Sequence, residues 1–353
     1  MKKKIILAIP ALESMGGEEK MVFKIAVKLS SLGRKVEIVT GNYFAFRTYP
    51  FRSNTIISGQ IMPGNFILRR AKMIKYFSNY EAYNYDYIIA FGFPSTLLAR
   101  HNKNVIWYCN TPPKSIYEIN NYVRGAMLPL AKLCANILKK IDKRNIKSIK
   151  TIIANSMNIH DRIWSYYDRS SKIIYPGVDI PKSSNPKFKK QLLSVGRLYK
   201  EKRIDIIVEA MILLPKYKLH VVGDGPELGN LKGICKEHKL DNVIFLGQID
   251  EKRLNKLYDE CFAAISIPVN EDFGLIPVEA NAHGKMCIGV EEGGMKETII
   301  HGDTGIFLEE VSGKGIADAV KAIEIMNPNT NKRACKSHAK KFSWKRFHKE
   351  LKW

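Results

Sequence analysis

Phe262-Ala-Ala-Ile-Ser-Ile267-Pro-Val-Asn-Glu271-Asp-Phe-Gly-Leu-Ile-Pro-Val-Glu279 is the stretch whose reading decides the fold. The apolar run at 262–267 has the length and composition of a strand buried on both faces. Phe273-Gly274 forms a turn, and Pro277 suits the first turn of a helix. A strand that hands directly to a helix is half of a βαβ unit, so the strands around it are expected to run parallel. The same alternation recurs outward from this point. Short β-branched runs lie at 191–195, 218–222, 243–246 and 286–290, and, earlier in the chain, at 4–10, 36–40, 87–91, 104–108, 151–155 and 172–175. Helical patterns separate them, such as 18–32, where apolar residues recur every three or four positions. The pattern pauses once, around Pro181, Asn185 and Pro186, which reads as a linker. The fold class is therefore α/β, with two Rossmann-like domains. The expected division is 1–180, 181–335, and a C-terminal helical segment 336–353. In doubly wound sheets ligands bind beyond the carboxyl ends of the strands, so two such domains facing across a cleft place the site there.

Composition narrows the function classes. At 353 residues the chain is long enough for two cores, and 45% hydrophobic with 26% charged residues excludes a disordered protein. The six cysteines form no C-x-x-C pair and mostly sit in apolar runs, so they read as buried, reduced thiols. The start, KKK followed by IILAIPAL, has no signal-type cleavage site after it and is expected to be a first strand. No run reaches the roughly 18 apolar residues of a membrane span. The net charge of +23 is unevenly spread: residues 1–180 hold 28 basic and 11 acidic residues. Such a field suits a phosphate-rich partner.

Four motifs carry chemistry. Around Gly274 and Leu275 the free N–H groups of a helix start can hold a diphosphate. Glu271 before that turn and Glu279 one turn into the helix can each accept hydrogen bonds from neutral hydroxyls. Ser194-Val-Gly196-Arg197-Leu-Tyr-Lys-Glu-Lys202 ends a strand with a glycine and places two cations, Arg197 and Lys202, where a diphosphate would be neutralised. Gly16-Gly17 occupies the first βα turn and lets backbone N–H groups approach a phosphate or sugar. It is not G-x-G-x-x-G, so it does not argue for a dinucleotide coenzyme. Gly293-Gly294-Met-Lys-Glu297 repeats the glycine-then-helix pattern, whereas 302–305 reads as a plain turn.

In combination these residues resemble the retaining family 4 glycosyltransferases of the GT-B fold. The matching runs are S-V-G-R-L-x(3)-K at 194–202, V-G-D-G-P-E-L at 222–228, F-L-G-Q at 245–248, E-D-F-G-L-I-P-V-E-A at 271–280 and G-G-x-x-E-T-I-x-x-G-x-T-G at 293–305. The first half is similar more loosely, through the Gly-Gly turn and Tyr108-Cys-Asn-Thr-Pro-Pro113. The resemblance implies that Arg197 and Lys202 hold the donor diphosphate and that Glu271 contacts the transferred sugar. It further implies that backbone at Phe273, Gly274 and Leu275 assists sugar and phosphate, that Glu279 binds the ribose and that Gln248 borders the base. It also implies that the C-terminal segment 336–353 crosses back to the first domain, where the residues alone equally allow a helix packed on its own domain. Some mannosyl-transferring relatives carry histidine where this chain has Asn110, which can neither act as a base nor carry charge.

The expected activity is metal-independent transfer of a hexose from a nucleotide sugar to a glycan. No Asp-x-Asp is present, so cations and helix dipoles would stabilise the leaving diphosphate, and no metal or cofactor is expected. Both GDP- and UDP-sugars fit; the D-F-G-L-x-P-V-E context and the T-P-P stretch lean toward GDP-mannose. Two basic amphipathic stretches, 62–80 with Arg69, Arg70, Lys72 and Lys75, and 122–150 with Lys139 and Lys140, suit an anionic membrane surface. A lipid-linked glycan acceptor at the cytoplasmic membrane face follows from them. Two rivals remain open: a nucleotide- or glycan-binding protein without activity, and a basic nucleic-acid-binding protein, although no nucleic-acid-binding motif is present.

Overall fold

The computed structural model describes residues 4–12, 16–41, 55–59, 66–121, 123, 125–181 and 187–351. Ser14 and Met15 of the Gly-Gly turn, Met62, Tyr122, Arg124 and the linker residues 182–186 lie outside them. Contacts divide the chain into two compact units between Tyr175 and Pro176, five residues before the boundary read from sequence.

In the first unit, β1 Lys4–Ile9, β2 Lys35–Thr40, β3 Thr55–Gly59, β4 Tyr87–Ala90, β5 Val105–Cys109, β6 Thr151–Ala154 and β7 Lys172–Ile173 form a parallel sheet. Their order is 3-2-1-4-5-6-7. β1 is the centre because all of Ile5 to Ile9 are buried; Ala8 pairs with Val39 on one side and Ala90 on the other. Each such Ile or Leu contributes about 2 kcal/mol by leaving water. The helix Gly17–Ser31 buries Met21, Val22, Ile25, Ala26 and Leu29, the spacing that covers one sheet face. The helix Leu128–Ser148 is anchored differently. Its buried positions are Ala135, Asp142, Asn145 and Ile146. Asn145 donates to the Thr96 carbonyl at 2.8 Å, and Asp142 accepts from Tyr167 at 2.6 Å and Tyr117 at 3.1 Å. Burial outweighs those hydrogen bonds and pushes the Asp142 carboxyl up to about 6.

In the second unit, β8 Gln191–Val195, β9 Lys218–Val222, β10 Val243–Gly247, β11 Ala263–Ile265, β12 Cys287–Gly289 and β13 Gly305–Phe307 are also all parallel. Their order, 10-9-8-11-12-13, repeats the plan of the first sheet. Leu192, Leu193, Ala264, Ile265 and Ile288 form the middle of the core. Both sheets reverse their strand order beside a central strand, β1/β4 and β8/β11, which is where ligands of this fold class bind.

The structure adds detail to the sequence reading and corrects one part of it, the burial of Cys134. β3 has no counterpart in the sequence reading: it is an edge strand with no buried residue, so its apolar content is low. The run read as a plain turn at 302–305 is a turn through Thr304, and Gly305 opens β13, a three-residue strand pairing with β12. Cys134 is exposed, on the outer side of its helix, while Cys109, Cys261, Cys287 and Cys335 are buried. The C-terminal stretch 336–351 groups with the second unit. The Val178 amide donates to the Phe342 carbonyl at 2.7 Å, and the Trp344 indole lies directly on Gly177, where no Cβ would fit. Ser343 caps the helix Trp344–Leu351, its Oγ accepting from the Arg346 amide at 3.4 Å.

Candidate active site

The second unit gathers its candidate residues at the carboxyl ends of β8 and β11. The loop after β8 closes in a short turn, Lys200–Lys202, and the loop after β11 runs through Glu271 to the helix Leu275–Ala282. The Val269 amide donates to the Glu201 carbonyl at 2.8 Å, tying the loops together. Lys202 Nζ then meets Glu271 Oε2 at 2.5 Å, with both side chains about one quarter exposed. Two motifs 69 residues apart thus form one charge pair. Gly274 adopts a left-handed φ of +92° at the start of the helix. The first N–H groups of that helix have no intrahelical acceptor and can donate to an anion. Phe273 is buried with its ring edge-on to Phe342 at 5.6 Å.

Gly293-Gly294 supports this turn. The Gly294 amide donates to the Glu271 carbonyl at 2.8 Å. A Cβ on Gly293 would collide with that same carbonyl, and one on Gly294 would stand 2.5 Å from the Asp272 carbonyl oxygen. The two glycines let backbone pack on backbone and so set the position of Glu271. Arg203 and Glu292 complete the brace. Arg203 donates to Glu292 Oε1 at 3.0 Å, and Glu292 Oε2 accepts from the Asn270 amide at 3.1 Å. The sequence carried no sign of this pair, because neither residue belongs to a motif and 89 positions separate them.

Glu279 projects one turn into its helix and accepts a hydrogen bond from the buried Tyr258 hydroxyl at 3.0 Å. Burial, reinforced by the Glu279 charge, holds the Tyr258 hydroxyl well above the usual phenol range, so it remains a donor. Tyr258 stacks on His283, whose Nδ1 lies 2.8 Å from Asp259. Tyr258 is a residue that sequence reasoning missed; it sits in an ordinary amphipathic helix. Arg197 is exposed, its guanidinium 5.4 Å from the Tyr199 ring centroid. Its loop is held by the V-G-D-G-P-E run: Gly196 and Leu198 donate to the carbonyls of Val222 and Asp224, each at 2.9 Å. A Cβ on Gly223 would overlap the Gly196 carbonyl. Gln248 is exposed just past the end of β10.

In the first unit, Gly16 is the extended residue before the helix Gly17–Ser31, whose first turn carries Glu18 and Glu19. Asn110, immediately after β5, donates from Nδ2 to Glu18 Oε1 at 3.0 Å. Burial pushes the Glu18 carboxyl up to about 7, against the lowering effect of that hydrogen bond, with Glu19 adding a further upward push. Asn155 holds the Asn110 carbonyl at 3.1 Å.

The two basic stretches, alike in sequence, differ in structure. In the helix Phe66–Ser78 the apolar side packs inward through Met73, Ile74 and Phe77. Arg70 lies 5.6 Å from the centroid of Phe93, and burial lowers its guanidinium from the ordinary value, so it is not the solvated surface cation expected. Arg69 is partly buried, while Lys72 and Lys75 are exposed. The helix Leu128–Ser148 instead turns Leu130, Leu133 and Ile137 outward, continuing from Met127, each more than half exposed. Lys140, Lys143, Arg144 and Lys147 are exposed on the same helix, while Lys139 covers Tyr117 at 5.8 Å. Among the described residues no helix is long and apolar enough to cross a membrane, and no three His, Cys, Asp or Glu side chains cluster to hold a metal.

Two family descriptions match the chain in succession. Residues 15–182 match "Glycosyltransferase Family 4" and residues 178–342 match "Glycosyl transferases group 1". The N-acetyl-alpha-D-glucosaminyl L-malate synthase of Bacillus anthracis is 33% identical over 165 residues, a match spanning 46% of this chain and 42% of that protein. The alpha-1,3/1,6-mannosyltransferase ALG2 of Dictyostelium discoideum is 23% identical over 96% of this chain and 94% of its own length. In structure, Anabaena HepE, solved in complex with UDP and glucose, superimposes with a TM-score of 0.76 at 18% identity, covering 98% of this chain and 97% of its own. Both sheets and their order are those of the GT-B fold.

Proposed function

The chain belongs to the family 4 glycosyltransferases of the GT-B fold, and from that premise we propose that it is a retaining hexosyltransferase drawing on a nucleotide sugar, with GDP-mannose as the favoured donor. The observation that carries the reading is the Lys202–Glu271 pair beside the open helix start at Gly274, with Glu279 one turn further on. A cation, a bundle of N–H donors and two carboxylates stand where a diphosphate, a hexose and a ribose would follow one another. On donor binding Lys202 turns to the diphosphate, with Arg197 alongside, and Glu271 is released to accept from a sugar hydroxyl. Glu279, oriented by Tyr258, accepts from the ribose, and Gln248 borders the base.

In the proposed step the bond between the anomeric carbon and the diphosphate oxygen breaks, and the electron pair leaves with the phosphate. The acceptor oxygen bonds to the same face of that carbon, and its proton passes to the departing phosphate oxygen. Cationic side chains and helix N–H groups stabilise the developing charge, so no metal is required. Mannose is supported by the similarity to ALG2 along nearly the whole chain. UDP is the rival base, supported by the ligand that HepE binds.

The proposed acceptor is a lipid-linked glycan at the cytoplasmic membrane face. Its support is the outward stripe Met127, Leu130, Leu133 and Ile137 bordered by Lys140, Arg144 and Lys147, the pairing of apolar and basic residues that suits an anionic bilayer.

The test is calorimetry with UDP, GDP, ADP and their sugars in EDTA. Tight binding of one nucleotide, lost in Arg197→Ala and Glu279→Ala, names the donor. Binding of none by folded protein overturns the reading. Retention of binding but no transfer to any lipid-linked acceptor would favour the binding-protein alternative.

A further inference from the structure

Two residues other than glycine carry left-handed backbone beside the Lys202–Glu271 pair. Arg203, immediately after Lys202, has φ +52°, and Asn270, immediately before Glu271, has φ +44°. Asparagine tolerates that region, whereas arginine carries a steric cost there and keeps it where neighbouring structure holds it. One side chain holds both. Glu292 accepts from Arg203 Nη1 through Oε1 at 3.0 Å and from the Asn270 amide through Oε2 at 3.1 Å. Each oxygen of a single carboxylate is tied to a different loop, next to Lys202 on one side and next to Glu271 on the other.

This clamp fixes more than the spacing of the loops. The Gly294 amide holds the Glu271 carbonyl at 2.8 Å, and Glu292 holds the N–H of the residue before it. Between those two anchors lie the backbone torsions of Asn270 and Glu271, which aim the Glu271 side chain. While Lys202 pairs with Glu271, the ion pair also aims the carboxylate. Once a diphosphate draws Lys202 away, the two backbone anchors remain. The Gly294 anchor is a neutral amide–carbonyl bond, and the Glu292 anchor is charge-assisted, the stronger kind. Arg203 and Glu292 are both partly exposed, so substitution there does not open the core.

We propose, resting on the hexosyltransferase reading, that Glu292 is a positioning residue that sets the direction of Glu271 and thereby the sugar the second unit prefers. Epimeric hexoses differ in the direction of one hydroxyl, axial or equatorial. A carboxylate held at one angle accepts well from one of the two, and a carboxylate able to turn accepts from either. The clamp therefore acts on the choice of sugar. It does not act on the nucleotide, whose proposed contacts are the helix start at Gly274 and Glu279.

The test uses the nucleoside diphosphate that binds, the donor that the wild type uses and that donor's epimer at one ring carbon. These are GDP, GDP-mannose and GDP-glucose for the favoured donor, and UDP, UDP-glucose and UDP-galactose for its rival. Glu292→Gln keeps the shape but offers one oxygen to two donors. It is expected to retain wild-type affinity for the nucleoside diphosphate. The ratio of kcat/KM between the epimers should narrow about tenfold, the worth of one hydrogen bond to a charged group. A loss of active or folded protein lowers both donors alike and leaves that ratio unchanged. Adding Arg203→Gly to Glu292→Gln removes the competing guanidinium and suits the left-handed φ. The glutamine oxygen is then left to the Asn270 amide, and the ratio should return toward the wild-type value. The proposal is overturned by an unchanged ratio in Glu292→Gln, or by a narrowed ratio that the double variant does not regain. Equal use of both epimers by the wild type, or loss of nucleotide binding in Glu292→Gln, also overturns it. A folded wild type that transfers no sugar from any nucleotide overturns the hexosyltransferase reading itself, and the selectivity role with it.

Discussion

The two units share one strand order and differ in how they hold ionisable groups. In the second, carboxylates are paired: Glu271 with Lys202, Glu292 with Arg203, Glu279 with Tyr258. In the first, two carboxyls are buried without a cation and rise, Glu18 to about 7 and Asp142 to about 6. The net charge runs the other way, since residues 1–180 carry 28 of the 57 basic residues but only 11 of the 34 acidic ones. The basic surface of the first unit therefore does not serve to neutralise its buried acids. Lys4 pairs with Glu37 at 2.7 Å, but Glu18 and Asp142 are partnered by amide and phenol groups. A unit that pairs its charges internally is equipped to bind a fixed ionic ligand. One that leaves cations outside and protonatable acids inside is equipped for an extended anionic surface and for response to pH.

The sharpest way to break this contrast is at Glu271. Glu271→Gln removes the charge but keeps the shape, and transfer is expected to fall about 100-fold, the upper worth of one hydrogen bond from a sugar hydroxyl to a charged acceptor. Nucleotide affinity should hold or rise, because Lys202 loses its competitor. Calorimetry beside single-turnover kinetics separates the two. Wild-type transfer by the variant would remove Glu271 from the site and leave its pairing with Lys202 as scaffolding.

The second test uses pH and stability. Lys285 is fully buried, donates to the carbonyls of Lys187 at 2.7 Å and Cys261 at 2.6 Å, and lies 3.8 Å from the Phe188 ring centroid. Burial lowers it to about 8 from 10.5. Between these values the unfolded chain binds more protons, so the second unit should gain stability as pH rises from 8 toward 10.5, by up to about 3 kcal/mol. Glu18 and Asp142 act oppositely: their folded values lie above 4.5 and 3.8. The folded first unit therefore binds more protons and loses stability as pH rises from 4 to 7. Hydrogen exchange at β1 and β8, corrected for intrinsic rates, would show the opposed slopes. Lys285→Met should flatten the alkaline slope at β8 alone. Parallel slopes in both units would erase the distinction.

The same contrast explains what was legible in the sequence. The parallel architecture was, because buried strands such as 5–9 are continuous apolar runs that need no partner to be recognised. So were the glycine turns and the two carboxylates of 271–279, since a helix start after a strand imposes them locally. The joining of Lys202 to Glu271 was not, nor were Tyr258 behind Glu279 or the Arg203–Glu292 brace, because each depends on which strands are neighbours. Glu18 was hidden for another reason. A glutamate in the first turn of a helix is an ordinary dipole-favoured residue, and it is Asn110, brought by β5, that makes it unusual. The helices Phe66–Ser78 and Leu128–Ser148 show the limit of amphipathic patterns. Both alternate apolar and basic residues, yet the first exposes Leu68 while the second turns out a stripe of Leu130, Leu133 and Ile137, because Asp142 and Asn145 occupy its buried face.

That helix supplies the third test. Leu130→Ser with Leu133→Ser is expected to weaken binding to vesicles containing anionic lipid about tenfold, from the apolar area withdrawn. Nucleotide binding in the second unit should not change. Cosedimentation at low and high salt measures it, and the wild type should lose binding as salt rises. Equal sedimentation of wild type and variant would mean that the stripe meets something other than lipid.

The smallest effect is expected at Tyr258. Its hydroxyl makes one hydrogen bond to Glu279, at 3.0 Å, inside a fully buried setting. Tyr258→Phe keeps the ring and its stacking on His283 and removes only that donor. Glu279 keeps its charge and stays partly exposed, so water can replace part of the bond. Nucleotide affinity should fall about fivefold, as for one hydrogen bond of about 1 kcal/mol, with kcat at saturating donor nearly unchanged. Such a split between affinity and turnover is the mark of a residue that acts by holding Glu279 against the ribose. A fall in kcat with affinity intact would place the bond instead on the path to Glu271, and the second unit would then be a single coupled network rather than a set of separately paired charges.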